Sequence, residues 1–174
     1  TGMTNASGLE ATLDLPLPRL IEGRFSNLTA FTDEALFEAC GVRIAFTERS
    51  GGVSEPPYDS LNLGLHVNDN PESVRENRRR VCEAFDIDPS RLIVPNQVHG
   101  ADVAVCENAG DIAETREFAA EGSDAVVVGC DGVAALLCFA DCAPVIIVAP
   151  SGKFAVAHCG WRGVVYGCLL YTSP

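Results

Sequence analysis

Between Arg91 and His158 the chain is dominated by apolar segments of strand length, and this restricts the fold more than any other feature. Arg91 to Val94, Ala101 to Cys106 with apolar–polar alternation, Asp124 to Val128, Val133 to Phe139, Pro144 to Val148 and Phe154 to His158 are separated by short connections holding Gly, Asp or Pro, the pattern of strands joined by turns. Runs such as VAALLCF and PVIIVA lack polar alternation, which predicts strands covered on both faces by helices or a second sheet. The expected fold class is α/β or α+β, a layered sandwich around a mixed, largely buried β-sheet. With 174 residues, the chain has room for one domain with a sizeable core rather than two.

Upstream of that region the pattern changes. Val42 to Thr47 reads as a short strand, and Glu48 to Gly64 as a long aperiodic loop rich in Gly, Pro, Ser and Asn, a length that in a compact domain points to function. Asn70 offers a helix N-cap, Pro71 a first helical position and Glu72 a first-turn acid, predicting a helix over Pro71 to Phe85. Its apolar stripe, Val74, Val81 and Phe85, also carries Asn77 and Arg78. Polar groups on an inward face need partners, and the simplest role for this pair is to tie down the preceding loop. Residues 1–14 read as a polar leader outside the fold, and residues 15–174 as a single domain. Trp161 opens a further turn of helix with little chain left to complete it, so the expectation is a domain lacking its C-terminal part.

Charge and cysteine usage exclude several classes. A net charge of −12 opposes a broad contact with nucleic acid or an anionic membrane, while leaving room for a small anion held by two or three local donors. Eight cysteines fall below the density of a disulfide scaffold, and Cys106, Cys130 and Cys138 lie in apolar runs where a thiol acts as a small buried hydrophobe. No basic-then-apolar signal opens the chain. The most apolar region, Ala125 to Ala149, is broken by Asp131, Asp141 and Pro144, too soon for a membrane span. A reducing, cytoplasmic setting is expected.

Few residues in such a chain carry chemistry. His99 and His158 each end a predicted strand beside glycine, and Cys142 sits in a polar break between two apolar strands, where strand ends converge. Three such donors leave one coordination place open, an arrangement suited to a zinc that activates water near neutral pH. Two other readings fit the same residues: satisfied structural histidines with a buried thiol, or a Cys142–His158 nucleophile–base pair. Asp141 is a candidate to orient a histidine, or simply a turn former. Arg49, in Arg49-Ser50-Gly51-Gly52-Val53-Ser54, suggests an anion nest. Trp161 and Arg162 add an aromatic plane and a second guanidinium. His66 has no partner pattern and reads as structural.

Four segments carry a resemblance: TERSGGVSEPPYDSLNLGLHVNDNPESVRENRR, NQVHGADV, FADCAPVIIVAP and AVAHCGWRGVV. In order and spacing they resemble the bacterial laccase-domain family, also called multicopper polyphenol oxidase-like proteins and described as purine nucleoside phosphorylases. The resemblance implies metal ligands at His99, Cys142 and His158, with zinc as the ion and copper as the alternative; these three, with the neighbouring Asp141, are the candidate catalytic residues. It further implies phosphorolysis of adenosine, inosine and methylthioadenosine to base and ribose 1-phosphate, with adenosine deamination alongside. Arg49, Arg162, Asn62 and Arg78 are the candidate substrate-binding residues. Copper-dependent polyphenol oxidation and cysteine hydrolysis remain the alternative activities. The chain departs from the family at Cys159, which puts an extra thiol beside a ligand where alanine is usual, and at Phe139, where threonine is common. The family also continues beyond the point where this chain stops.

Overall fold

The computed structural model describes residues 15–160; the leader expected over 1–14 and the turn expected from Trp161 lie outside them. The described chain is a mixed α+β structure with three sheets and three α-helices, in the class the sequence predicts. It begins with a hairpin that strand patterning does not reveal: Ile21–Phe25 (β1) pairs antiparallel with Leu28–Thr32 (β2). In β2 the alternation is real, with Leu28, Ala30 and Thr32 buried, but β1 carries Glu22, Gly23 and Arg24 and lies on the surface. Glu34–Cys40 (α1) follows, capped by Asp33, whose Oδ1 accepts from Leu36 N at 3.0 Å. Ala45–Thr47 (β3) then joins the far side of β2.

Pro71–Ala84 (α2) starts as the sequence predicts, with the Asn70 side chain accepting from Glu72 N at 2.9 Å. Its buried face is Val74, Asn77, Val81 and Cys82. Asn77 is wholly buried and fastens the Gly-rich loop to the helix. Its Oδ1 accepts from Val53 N at 2.8 Å, and its Nδ2 faces Ser54 Oγ and the carbonyls of Ser60 and Asn62 at 2.9–3.1 Å. The approach is so close that a Cβ on Gly52 would run into the Ser60 carbonyl and the Asn77 amide oxygen. Asp69 closes the loop from its other end, accepting from Ser54 Oγ at 2.6 Å and Asn62 Nδ2 at 2.9 Å.

The second half holds Leu92–Ile93 (β4), Val103–Cys106 (β5), Ile112–Glu121 (α3), Ala125–Val128 (β6), Ala134–Ala135 (β7), Ala143–Val148 (β8) and Phe154–Cys159 (β9). The main sheet has the order β5-β6-β9-β8, parallel between β5 and β6 and antiparallel elsewhere. A parallel pair needs a crossover, and α3 supplies it. Ile93, Ala104, Cys106, Ala119, Val126 and Val128 form the core there. Three expectations are corrected. The connection between Cys106 and Asp124 is not a short turn but holds α3 (IAETREFAAE), which carries too few apolar residues to announce itself. Val133 to Phe139 pairs only through β7, against β4. PVIIVA is not covered on both faces: β8 is an edge strand, with Ile146 and Ile147 39% and 41% exposed, so the sheet is buried at β6 and open at β8. Among the described residues no helix is long and apolar enough to cross a membrane.

The loop attachment makes two measurable claims. Replacing Asn77 with Ala orphans Val53 N and several buried acceptors and is expected to cost about 3 kcal/mol in denaturant unfolding; an unchanged midpoint would show that the loop is held elsewhere. The two hydrogen bonds from Ser54 and Asn62 hold the Asp69 carboxyl below its usual range. Its contribution is therefore present above about pH 4 and lost as pH falls through the depressed folded value. The stability gap between the wild type and Asp69→Ala should be full at pH 6 and shrink on acidification; a gap independent of pH would contradict this.

Candidate metal centre

The antiparallel pairing of β9 with both β6 and β8 brings distant segments to one end of the main sheet. Ala157 pairs with Ala125, His158 with Pro144 and Cys159 with Ala143. The start of β6, the start of β8 and the end of β9 therefore lie together, and the loop before β5 joins them. Asp124, Cys142, His158 and His99 occupy these positions.

The donor atoms of His99, Cys142 and His158 all lie within 4.8 Å of one another. Cys142 Sγ is 3.9 Å from His99 Nε2, and the two imidazoles meet edge to face with centroids 4.7 Å apart. Ligands around a tetrahedral zinc are separated by roughly 3.3–3.7 Å, given its bond lengths, so the set would close by up to about 1 Å to hold one ion. His158 is buried, Cys142 half-buried and His99 exposed, leaving an open side. Gly160 is required here: a Cβ would lie 2.9 Å from His99 Cδ2 and 3.4 Å from Cys142 Sγ.

Behind the ligands stands Asp124, fully buried. Its Oδ1 is 2.8 Å from His158 Nδ1 and accepts from His99 N at 3.0 Å; its Oδ2 accepts from Val98 N at 3.1 Å and Gly100 N at 2.7 Å. Three successive N–H groups converging on one carboxylate form an anion nest. His99 takes a left-handed conformation in it, φ 58°, which costs a non-glycine residue about 1 kcal/mol or more. With Nδ1 turned to Asp124, His158 offers Nε2 to the ligand side.

The structure redistributes several predicted roles. Asp141 is exposed and has no hydrogen bond among the described residues; the carboxylate that orients a histidine is Asp124, reached through sheet pairing rather than sequence adjacency. Three N–H groups of the expected Arg49 nest are already engaged: Gly52 N donates to Ser60 Oγ, Val53 N to Asn77 Oδ1 and Ser54 N to the Ser60 carbonyl. Arg49 itself grips the Asp59 carbonyl at 2.8 Å and 3.0 Å. Asn62 is absorbed by Gly64 and Asp69. Arg78 differs from both. It is half-buried, and only its Nε is engaged, donating to the Leu63 carbonyl at 2.8 Å. Arg162 and Trp161 lie outside the described residues.

Cys159 does not join the donors. One residue along a strand from His158, it faces the opposite side of the sheet and packs with Ala125 and Ala157, where burial pushes its thiol pKa up. Cys106 and Cys138 are likewise raised by burial, the behaviour of packing thiols. His66 is exposed and away from the set. Phe139 packs against His158 with centroids 5.6 Å apart, and it also lines an apolar cavity of about 1500 Å³ together with Phe46, Ile146 and Val156. The centre thus adjoins an apolar chamber.

Known proteins resemble this chain over most of its length. The family described as multi-copper polyphenol oxidoreductase laccase matches residues 43–172. A purine nucleoside phosphorylase of Pseudomonas aeruginosa is 43% identical over 132 residues, covering 75% of this chain and 50% of its own. Purine nucleoside phosphorylase YfiH of Escherichia coli is 41% identical over 133 residues, covering 76% and 51%. The crystal structure of YlmD from Geobacillus stearothermophilus superposes with a TM-score of 0.64 at 35% identity, over 83% of this chain and 49% of that one. The chain therefore spans about half the length of the curated relatives it matches. With most of its length matched by the family and by relatives above 40% identity, the chain belongs to the multi-copper polyphenol oxidoreductase laccase family.

Proposed function

We propose that this chain carries the metal centre of a purine nucleoside phosphorylase, with zinc as its ion. The observation that carries the reading is the His99, Cys142 and His158 set, open on one side and next to an apolar chamber, in a chain whose relatives are named purine nucleoside phosphorylases. Two imidazoles and a thiolate suit zinc, and three protein ligands leave a place for a reactant. When bound, such an ion supplies Lewis-acid activation of water or phosphate at neutral pH.

The chain's own residues fit the remaining tasks. Phe139 and the apolar wall beside it offer a face for a purine ring. Arg78, with its outer nitrogens uncommitted among the described residues, is the donor assigned to phosphate. In the reaction a phosphate oxygen bonds to the ribose C1′ as the C1′–N9 bond breaks, giving the free base and ribose 1-phosphate. The substrates assigned are adenosine, inosine and methylthioadenosine; in adenosine deamination a water oxygen bonds to the purine C6 as the C6–N bond to the amino group breaks, giving inosine and ammonia. The partners are a nucleoside and phosphate, without nucleic acid or membrane, in the cytoplasm.

The cysteine-hydrolase alternative is less well supported. The imidazole contacting Cys142 is His99, whereas the one oriented by a carboxylate is His158, so thiol, base and orienting acid are not in series. Polyphenol oxidation with copper draws on several metal sites, and the described residues hold one cluster.

Metal analysis of the purified chain is expected to give about one zinc per molecule, lost in Cys142→Ala and His99→Ala. Adenosine should yield adenine and ribose 1-phosphate only when phosphate is present, at least 100-fold more slowly in those variants; turnover independent of metal and phosphate would overturn the reading. Arg78→Gln should raise the phosphate KM about tenfold with the nucleoside KM little changed, and an unmoved phosphate KM would remove Arg78 from the site.

A further inference from the structure

We infer that Asp124 is the positioning residue of this centre, a single carboxylate that presets both histidines before an ion arrives. The inference rests on the reading of His99, Cys142 and His158 as the metal site, and it adds a residue that neither the ligand motifs nor the family resemblance singles out.

The geometry couples the two imidazoles through one oxygen. Asp124 Oδ1 accepts from the backbone N–H of His99 at 3.0 Å and lies 2.8 Å from His158 Nδ1. For His158 this fixes the ring rotation and places the proton on Nδ1, so that Nε2 presents its lone pair. For His99 the control is indirect: Oδ2 holds Val98 N and Gly100 N on either side. The three bonds together stabilise the left-handed backbone at His99 that aims its ring at Cys142 Sγ.

Two further features favour this role over that of an ordinary buried loop anchor. The carboxylate is placed by the same pairing that places His158, since His158 N donates to the Asp124 carbonyl at 2.7 Å and Asp124 N to the Asp102 carbonyl at 3.0 Å. Carboxylate and imidazole are therefore rigid with respect to each other. The charges also match a divalent cation: the thiolate form of Cys142 that ligates a metal and the carboxylate of Asp124 provide two negative charges alongside two neutral imidazoles. An anchor needed only for the loop requires neither the contact with the ring nor its alignment with the donor set.

The test uses the metal-free 174-residue chain. Histidine ¹⁵N spectra should show His158 as the Nδ1–H tautomer, and a wild-type Nε2–H tautomer would overturn the inference whatever happens to any variant. Zinc titration against a competing chelator should then give an affinity 10- to 100-fold weaker for Asp124→Asn at unchanged far-ultraviolet circular dichroism, with Asp124→Glu between the two. Cobalt substituted for zinc should show altered visible bands in Asp124→Asn. A folded Asp124→Asn that binds zinc within twofold of the wild type would overturn the inference alone. A wild type that takes up no divalent ion would overturn the proposed function and this inference with it.

Discussion

A carboxylate cut off from water is tolerated only where its oxygens find donors, and Asp124 finds four. Each donor fixes a different part of the architecture. The bonds to Val98, His99 and Gly100 fasten the segment before β5 to the start of β6, and the bond to His158 fastens the end of β9 to the same point. The parallel β5–β6 pair and the antiparallel β6–β9 pair thus share one electrostatic node at the end of the sheet where the ligands gather. Moving β9 by one residue relative to β6 would turn His158 to the opposite face, because side chains alternate along a strand. Strand register, the polar node and the donor set therefore specify one another.

The Gly-rich loop uses the same physics with a neutral group. Asn77, buried on α2, satisfies groups of a segment that has no regular structure of its own, as Asp124 does for the 98–100 turn. In both cases a buried side chain replaces the missing ladder bonds of an irregular backbone. The difference lies in what is left over. The loop's own donors and acceptors are largely consumed internally, which is why Arg49 and Asn62 brace it, whereas around Asp124 two imidazoles and a thiol are left facing one another.

How much of this the sequence disclosed follows from the range of the interactions. The start of α2 was legible because Asn70, Pro71 and Glu72 act within one turn, and the pinning role of Asn77 was legible because a polar residue on an apolar stripe must have a partner. His99, Cys142 and His158 stood out as chemically uncommon residues at strand ends, and the family resemblance made them a set. Asp124 was not legible: it opens an otherwise apolar strand, and its partners lie 24 to 34 residues away. Proximity in sequence favoured Asp141 instead, which the fold leaves exposed. The exposed β8 edge was misread for a related reason, since a run such as PVIIVA carries no mark of whether a neighbouring strand covers it. The hairpin β1–β2 and helix α3 escaped notice because their patterns are too short or too weakly amphipathic to compete with the apolar runs around them.

The overall charge bears on the order of events at such a centre. A chain of net charge −12 with a buried carboxylate at the ligand end of its sheet does not draw phosphate in by its overall field, so the anion depends on local positive charge. Two unit charges about 4 Å apart interact by roughly 4 kcal/mol at the dielectric typical of a protein surface, so the balance between attraction and repulsion turns on the sign of the donor set. Held by His99, Cys142 and His158, a divalent ion would supply positive charge at that end of the sheet. On the proposed function, the metal would therefore help to hold the anionic reactant as well as activate it.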